Sequence, residues 1–546
     1  MKRTLVLAAV AAVALAAPAV AWAHAALLKT VPAASAEVDT PPAELRLTYD
    51  EVVEPRFAIV SVTDAAGRQQ VDGSVHRSAS DPYELDAPLK HSAEGWYLVF
   101  WRVISADGHP VRGVFTYRIG PNPGPPPQFV VPSLTETAVT PGLIGLRWLT
   151  FLSLMIAIGL FVLRTVVARP LAGGLRGISV AFLAASAVAL VATPIYVLLA
   201  TAQFALRSFW ALGALVPLMG VSAFGRGYLR LELLLALFAV AGAIAIWLDD
   251  PARGRRSVAA LLSLWGALLA AAAVLLVPGA AGHAAQTPPR AASLVLDWAH
   301  LASGSVWLGG LVGLLVLGRR ALGTALRRFS NVALVSVMVL LGSGVGASVV
   351  HLPTLGALTQ TGYGEAILVK AGLLLAAMLV ASVNLVRTRR AAALLWQTVA
   401  AEVVLVTAAV VAAAVLSSLP PPPRALASLG APAATAGPGP ISTVVDREGY
   451  HVDVQITPNK VAQPDEFEVR LTRHGSPVRG AVVVTTFAML DMEMPNQEYR
   501  LAEVSPGVYR RSSEALVMVG RWGLTFEIQP PGAAAFDVVV VDHARG

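Results

Sequence analysis

Eight long apolar segments in the middle of the chain constrain its fold more than any other feature. Each is close to the ~20 residues that an α-helix needs to cross the hydrocarbon core of a bilayer. The segments are Gly142–Leu163, Ile178–Ala200, Tyr228–Leu248, Val258–Val277, Leu294–Gly318, Phe329–Val350, Ala366–Val386 and Trp396–Leu419. The stretch Thr201–Gly227 is also apolar. Because Arg207, Pro217 and Gly220 interrupt it, we predict an interfacial or re-entrant segment there, with a ninth span as the alternative.

The composition favours a membrane protein over a water-soluble enzyme. Hydrophobic residues make up 55% of the 546 positions and charged residues only 14%, whereas soluble domains carry about 25% charged residues. The net charge of +7 is explained by arginines in the loops between spans. No groove-like pattern of basic and aromatic residues indicates nucleic-acid binding. Cysteine is absent, which excludes disulfides, thiolate metal sites and cysteine nucleophiles.

The N-terminus has the three parts of a secretory signal peptide. Lys2 and Arg3 form a basic start, an apolar run follows, and Ala-Trp-Ala at 21–23 is a cleavage signal of small residues. We therefore predict a signal peptide over 1–23, which makes His24 the first residue of the mature protein. An uncleaved anchor helix is the alternative.

The distribution of arginine predicts the orientation of the spans. The odd-numbered loops contain Arg164, Arg169, Arg176, Arg253, Arg255, Arg256, Arg319, Arg320, Arg327, Arg328, Arg387, Arg389 and Arg390. The even-numbered loops contain only Arg207, Arg226 and Arg290. The positive-inside rule then places the odd loops in the cytoplasm. With eight spans and an exported N-terminus, we expect a multi-pass protein of the cytoplasmic (inner) membrane whose soluble domains both lie on the periplasmic side.

The residues on either side of the spans alternate apolar and polar side chains, which is typical of half-buried strands. Residues 24–120 predict a small Ig-like β-sandwich or barrel, and 441–546 predict a second β-sandwich. Pro-rich and Gly-rich linkers at 121–141 and 420–440 join these domains to the helical bundle at 142–419. The predicted fold class is a multidomain membrane protein with a bundle of about eight transmembrane helices between two β-domains.

A candidate metal site lies in the first β-domain. Asp107 and His109 flank Gly108 at a predicted strand end, so the two-residue period directs both side chains the same way. A mature N-terminal His24 would add its α-amine and its imidazole together. Such a set of nitrogen and oxygen ligands suits Cu(II) better than Mg²⁺ or Ca²⁺. The alternative for Asp-Gly-His alone is a turn with an exposed histidine.

Three segments of this domain resemble the periplasmic copper-binding CopC family: HAALLKTVPA, LRLTYDEVVEPRF and VISADGHPVRGVFTYRIG. The resemblance covers His24–Gly120 and implies a cupredoxin-like sandwich that binds Cu(II) through His24, Asp107 and His109. It also implies Glu51 as a fourth ligand or as a support for the others. No methionine occurs between His24 and Gly120, so we expect Cu(II) binding without the methionine-rich Cu(I) site of some relatives.

The spans contain a second group of candidate ligands. Asp297 and His300 lie three residues apart on one face of the fifth span, in its outer half. Ionisable side chains inside a membrane usually face the bundle interior and mark a site or a pathway. His283 in an outer loop and His351 at the outer end of the sixth span could join them in a copper site. The alternative is an Asp–His hydrogen bond that only fastens helices together.

This region resembles the CopD copper-resistance membrane family over roughly Gly142–Leu419. The resemblance rests on GHA, on D-x-x-H followed by W-x-G-G-L, on RRFSNVALVSV and on T-x-Y-G-x-x-x-L-x-K. The last motif consists of Thr361, Tyr363, Gly364, Leu368 and Lys370. What the resemblance implies is copper uptake across the inner membrane.

The C-terminal domain resembles the YtkA-like β-domain through FAMLDMEMPNQEYRLAEVSPGVY and MVGRWGLTFEI. Met489, Met492 and Met494 cluster there, and thioethers are soft ligands that select Cu(I). His451 and Met518 are weaker candidates for the same site. The alternative is that the methionines pack the core of the domain.

No phosphate-binding Gly-x-x-x-x-Gly-Lys-Ser/Thr loop and no hydrolase or zinc-protease signature occurs, so we expect no enzymatic activity. The sequence favours a protein that binds copper in the periplasm and imports it across the cytoplasmic membrane. Its expected partners are copper ions and the lipid bilayer. One alternative is a membrane-tethered copper scavenger without transport, and another is a haem-containing membrane protein that reduces copper.

Overall fold

The structure is a computed structural model that describes residues 25–545 with internal gaps. The gaps are 26, 35, 107, 125–126, 128–139, 170–174, 252–254, 286, 288, 389–394, 420–421, 423–424, 431, 462, 492–495 and 518. The predicted signal peptide and most of the first linker therefore lie outside the described residues. The chain divides into two compact units, one containing the spans up to Leu419 and the other containing both β-domains.

Eight described helices are long and apolar enough to cross a membrane, which confirms the predicted bundle. In chain order, they are Pro141–Val167, Leu175–Phe204, Ala223–Leu248, Val258–Ala280, Arg290–Gly318, Arg328–His351, Gly362–Val386 and Trp396–Leu416, and are called the first to eighth spans. The two ends of the stretch predicted as interfacial belong to the second and third spans. Between those spans, it forms two short helical turns, Leu212–Leu215 and Val216–Leu218. The described residues contain no ninth span.

The fifth and sixth spans belong to one helical segment, Arg290–His351, that is interrupted at Gly318. Gly318 has φ 76°, a left-handed conformation that costs glycine little and other residues more. The chain can therefore change direction there without leaving an extended loop between the two spans.

Glycines also set how closely the first and fifth spans approach each other. A Cβ added at Gly309 would lie 2.6 Å from Gly159 Cα, and one added at Gly159 would lie 2.1 Å from the carbonyl oxygen of Ser305. Small residues at such a crossing let two helix backbones touch. The fifth span, which carries the candidate ligands, is thereby held against the first.

We expect Gly309→Ala to lower the free energy of unfolding by about 1–3 kcal/mol, because the new methyl group forces the two helix backbones apart. Thermal melting of the detergent-solubilised protein measures the effect. Gly266→Ala in the fourth span is the matched control, since a Cβ there meets nothing within 4 Å. Equal melting temperatures for the two variants would contradict a tight crossing.

Three arginines of the loops predicted to be cytoplasmic share one carboxylate. Asp249, which follows the third span, accepts hydrogen bonds from Arg164 at 3.0 Å, Arg169 at 2.8 Å and Arg256 at 3.0 Å. Burial alone would raise the pKa of the Asp249 carboxyl, but these guanidinium groups outweigh burial and lower it. The network ties the ends of the first and third spans to the loop before the fourth.

The first β-domain consists of two four-stranded sheets. One has the order β1 (Leu27–Val31), β3 (Glu44–Tyr49), β6 (Glu84–Pro88), β5 (His76–Arg77); the other has the order β2 (Glu37–Val38), β8 (Pro110–Ile119), β7 (Gly95–Ile104), β4 (Ile59–Asp64). Alternate residues of β7 and β8 enter a shared core, among them Val99, Trp101 and Phe115. The β-domain predicted at this end of the chain is confirmed.

The C-terminal domain is β-rich, as predicted. Its strands are β9 (Ala434–Ala436), β10 (Ile441–Arg447), β11 (Tyr450–Thr457), β12 (Asp465–Arg473), β13 (Ser476–Pro477), β14 (Val482–Met489), β15 (Gln497–Ser505), β16 (Val508–Ser513), β17 (Gly520–Gln529) and β18 (Phe536–Ala544). They pair in the order β10-β11-β12-β16-β15-β14-β17-β18-β9, with β13 beside β12. Trp522, Phe467 and Tyr509 are fully buried in the core.

The two β-domains meet along the edge of β8. The Val114 amide donates to the carbonyl of Val517 at 3.0 Å, and the Thr116 amide donates to the Glu514 carboxylate at 3.2 Å. Further along the same edge, the Arg118 and Gly120 amides donate to carbonyls of the first domain. An open strand edge invites pairing with other chains, and the C-terminal domain covers part of this one.

Candidate copper sites

The first candidate site lies in the turn between β7 and β8. The Ser105 amide donates to the His109 carbonyl at 2.9 Å, and the Gly108 amide donates to the Ser105 carbonyl at 2.9 Å. Gly108 has φ 87°, which a tight turn at this position requires. His109 is partly buried, and its Nδ1 is shielded from solvent. Two predicted ligands, His24 and Asp107, lie outside the described residues, so the complete ligand set stays a prediction.

Glu51 is placed to support this turn. It is buried, and its Oε1 accepts a hydrogen bond from the amide of Ala106 at 2.8 Å. The carboxylate thus holds the backbone immediately before Asp107. This contact fits the supporting role, in which a residue orients the loop that carries the ligands.

We expect Glu51→Ala to weaken Cu(II) binding about ten-fold or more, because groups that orient metal ligands typically contribute this much. Glu51→Gln keeps an acceptor oxygen and should lose much less. Isothermal titration of the full chain with Cu(II) compares both with Asp39→Ala, a change at an exposed carboxylate of the same domain. An affinity of Glu51→Ala equal to that of the Asp39 variant would contradict the supporting role.

The second candidate site centres on His300 in the fifth span. Its Nδ1 lies 3.1 Å from the carbonyl oxygen of Leu340 and 3.4 Å from the hydroxyl of Ser343, both in the sixth span. Its Nε2 lies 3.1 Å from the Nζ of Lys370 in the seventh span. Gly344 leaves the space for the ring, since a Cβ there would approach His300 Cε1 to 3.1 Å. Three spans therefore meet at this imidazole.

Asp297 lies one helical turn before His300 and close to the same lysine. Its carboxylate and the Lys370 ammonium attract each other. On its other side, Asp297 approaches the fourth span, where a Cβ at Gly279 would come within 2.5 Å of Oδ2. The absence of a side chain at Gly279 is therefore what admits the carboxylate.

The other predicted members of this site are placed differently. The side chain of His283 lies outside the described part of the chain. His351 ends the sixth span, and its Nδ1 donates to the carbonyl of Ala347 in its own helix at 2.8 Å. Among the described residues, no group of three or more His, Asp or Glu side chains is arranged to hold a metal ion. The four-residue site of His283, Asp297, His300 and His351 stays a prediction.

Lys370 is the residue that the sequence interpretation missed. It ends the T-x-Y-G-x-x-x-L-x-K motif, and the motif by itself assigns it no role in the site. A lysine in the interior of an apolar span is itself the signal, because an intramembrane ammonium needs a partner. The spacing of residues within the seventh span could not identify this partner, because His300 belongs to the fifth span.

In the C-terminal domain, Met489 is buried in the core and its strand position pairs with Trp522. Its burial in the core favours the packing alternative for Met489. Met492, Met494 and Met518 lie outside the described residues. His451 is largely exposed and bonds to Asp446 at 2.8 Å.

Comparisons with known proteins agree with this architecture. Three family models match in order: CopC domain over 27–120, Copper resistance protein D over 323–416 and YtkA-like over 445–527. The CopD match covers the later spans and does not include Asp297 or His300.

Individual relatives match either most of the chain or less than a fifth of it. "Copper transport protein CutJ" of Bacillus subtilis is 26% identical over 92% of this chain and 93% of its own length. "Protein YobA" of Escherichia coli strain K12 is 34% identical over 18% of this chain and 80% of its own length. The crystal structure of CopC from Methylosinus trichosporium OB3b has 30% identity, covers 19% of this chain and all of that one, and has a TM-score of 0.17. By its three domains in this order and its similarity to CutJ over 92% of its length, the chain belongs to the CopC–CopD family of copper-resistance proteins, with a YtkA-like domain at its C-terminus.

Proposed function

We propose that this protein captures copper outside the cytoplasmic membrane and imports it, without enzymatic chemistry. The first domain binds Cu(II) through His24, Asp107 and His109, and Glu51 supports the loop. The relative named a copper transport protein, similar along 93% of its own length, supports a transport function. The predicted signal peptide and the arginine-rich loops support placing both β-domains on the periplasmic side.

The membrane domain receives copper near His283, Asp297, His300 and His351. The observation that carries this step is the orientation of His300. Its Nδ1 contacts a backbone carbonyl at 3.1 Å, so Nε2 is the nitrogen that can bind a metal. Metal-ligating histidines commonly donate their other ring N–H to a carbonyl in this way. Copper also accepts imidazole readily.

A Cu(I) role for the C-terminal domain is proposed through Met492 and Met494. Met489 fills the core, so it serves the fold there. Transfer from the first domain to the bundle includes ligand exchange, because the two sites share no residue.

Uptake of radioactive copper into proteoliposomes tests the proposal. We expect His300→Ala to abolish most of the flux, whereas His91→Ala, at an exposed histidine of the first domain, leaves it unchanged. Wild-type flux equal to that of His300→Ala would refute import through this site. Copper binding without any flux would instead indicate a tethered scavenger.

A further inference from the structure

We propose that Lys370 is a tethered cation that occupies the copper-binding position of His300 and is displaced when copper binds. The inference rests on the proposed function, because it concerns the same imidazole. It adds a role for a residue of the seventh span that neither the family models nor the named relatives assign.

The protonation of the His300 ring follows from its neighbours. The carbonyl of Leu340 can only accept a hydrogen bond, so Nδ1, at 3.1 Å, carries the proton and donates. In a neutral imidazole, Nε2 then holds the one remaining lone pair. The Lys370 ammonium, at 3.1 Å, donates to that lone pair.

One lone pair can serve one partner at a time. Copper needs the Nε2 lone pair for a coordinate bond, and Lys370 uses the same lone pair for a hydrogen bond. Copper ligation by His300 and the Lys370 contact are therefore mutually exclusive. The amine must move before the metal can bind.

The surroundings of Lys370 fit a cation that stays in place until another cation replaces it. An ammonium group inside a membrane span is costly without a compensating charge, and the Asp297 carboxylate attracts Lys370. When copper binds His300, the ammonium of Lys370 leaves. The site therefore exchanges one positive ion for another and does not hold both at once. The flexible four-carbon stem of lysine allows the amine to swing away from Nε2 while the helix backbone stays in place.

The exchange also selects among metals. An ion must bind imidazole nitrogen strongly enough to displace an ammonium that contacts His300 and is attracted by Asp297. Na⁺ and Mg²⁺ prefer oxygen ligands and gain little from Nε2, whereas copper binds imidazole well. Lys370 is thus a specificity-determining residue for the proposed cargo.

Titration with Cu(I) under anaerobic, reducing conditions, in competition with a chromogenic Cu(I) chelator, tests the inference. The full chain is used in nanodiscs, and all variants carry His109→Ala to suppress binding at the first domain. We expect Lys370→Met to raise the affinity of the His300-dependent site about ten-fold or more, because a competing charge-assisted hydrogen bond is removed. Lys370→Gln should raise it as well, and Lys370→Arg, which retains the charge and the donors, should stay near the parent. Lys90→Met in the first domain is the matched control.

Adding His300→Ala distinguishes the displacement of Lys370 from copper binding at His300 itself. The gain from Lys370→Met should vanish in the double variant, because the lysine competes only for that imidazole. If the parent shows Cu(I) binding that depends on His300 but neither Lys370→Met nor Lys370→Gln strengthens it, the displacement is refuted and the membrane site stands. If His300→Ala changes Cu(I) binding neither in the parent nor in Lys370→Met, the displacement by copper and the membrane copper site are both refuted. Size-exclusion profiles and melting temperatures confirm that the variants compared are folded.

Discussion

Placing one extra residue ahead of His24 should lower the affinity of the first domain for Cu(II) by about a hundred-fold or more. The α-amine and the imidazole of an N-terminal histidine can chelate the same ion, and an added residue moves the amine out of reach. His109→Ala should have a comparable effect, because it removes one of the three residues proposed to bind Cu(II). The loss exceeds that expected for Glu51→Ala, which leaves every proposed ligand in place.

Isothermal titration of the processed full chain measures both changes, with mass spectrometry to establish the first residue. His76→Ala, at an exposed histidine on β5, controls for general loss of imidazole. Unchanged affinity in the extended variant would refute the N-terminal chelate. A mature chain that begins elsewhere than at His24 would refute it too.

Asp465→Asn is expected to stabilise the C-terminal domain at pH 8 by on the order of 3 kcal/mol. Burial raises the pKa of the Asp465 carboxyl to about 7, and the nearby Asp542 and Glu514 carboxylates add to this. A carboxyl whose pKa is higher in the folded state than in the unfolded chain stabilises the fold only while it is protonated. Its contribution is therefore full below about pH 4 and is lost as the pH rises towards 7. An asparagine cannot ionise, and it keeps an oxygen for the Lys460 amide, which donates to Asp465 at 3.1 Å.

Hydrogen–deuterium exchange of β12 and β17 in the full chain, compared between variant and wild type at each pH, measures this gain. We expect stronger protection in the variant at pH 8 and a difference that vanishes near pH 4. Asp537→Asn, at an exposed position of β18, should change protection little at either pH. A gain that is independent of pH would contradict ionisation of Asp465 as the cause.

The length of the apolar segments and the periodicity of the others predicted most of the architecture. The eight spans follow from the length of the apolar segments. In a bilayer, a long apolar segment must satisfy its backbone hydrogen bonds within itself, so it forms a helix whatever its neighbours are. The β-domains follow from alternation, since strands with one buried face need it. The predicted boundaries shift by a few residues, as at the first span, which extends to Val167 instead of Leu163.

Contacts between distant segments could not be predicted in this way. The sequence places Asp297 and His300 on one helical face, because three residues make nearly one turn. It cannot show that Leu340 fixes the ring or that Lys370 faces Nε2, since these residues come from other spans. The pairing of Val114 with Val517 joins positions about four hundred residues apart along the chain.

The sequence by itself determined which segments enter the membrane, which form strands and which side chains have the chemistry to bind copper, because these properties depend on local pattern and residue type. Only the tertiary structure decided that Nδ1 of His300 faces Leu340, that Nε2 faces Lys370, and that Glu51 accepts a hydrogen bond from the loop before Asp107. Hydrogen bonds act over about 3 Å and depend on direction, so they are fixed by how helices and sheets pack and not by the order of residues.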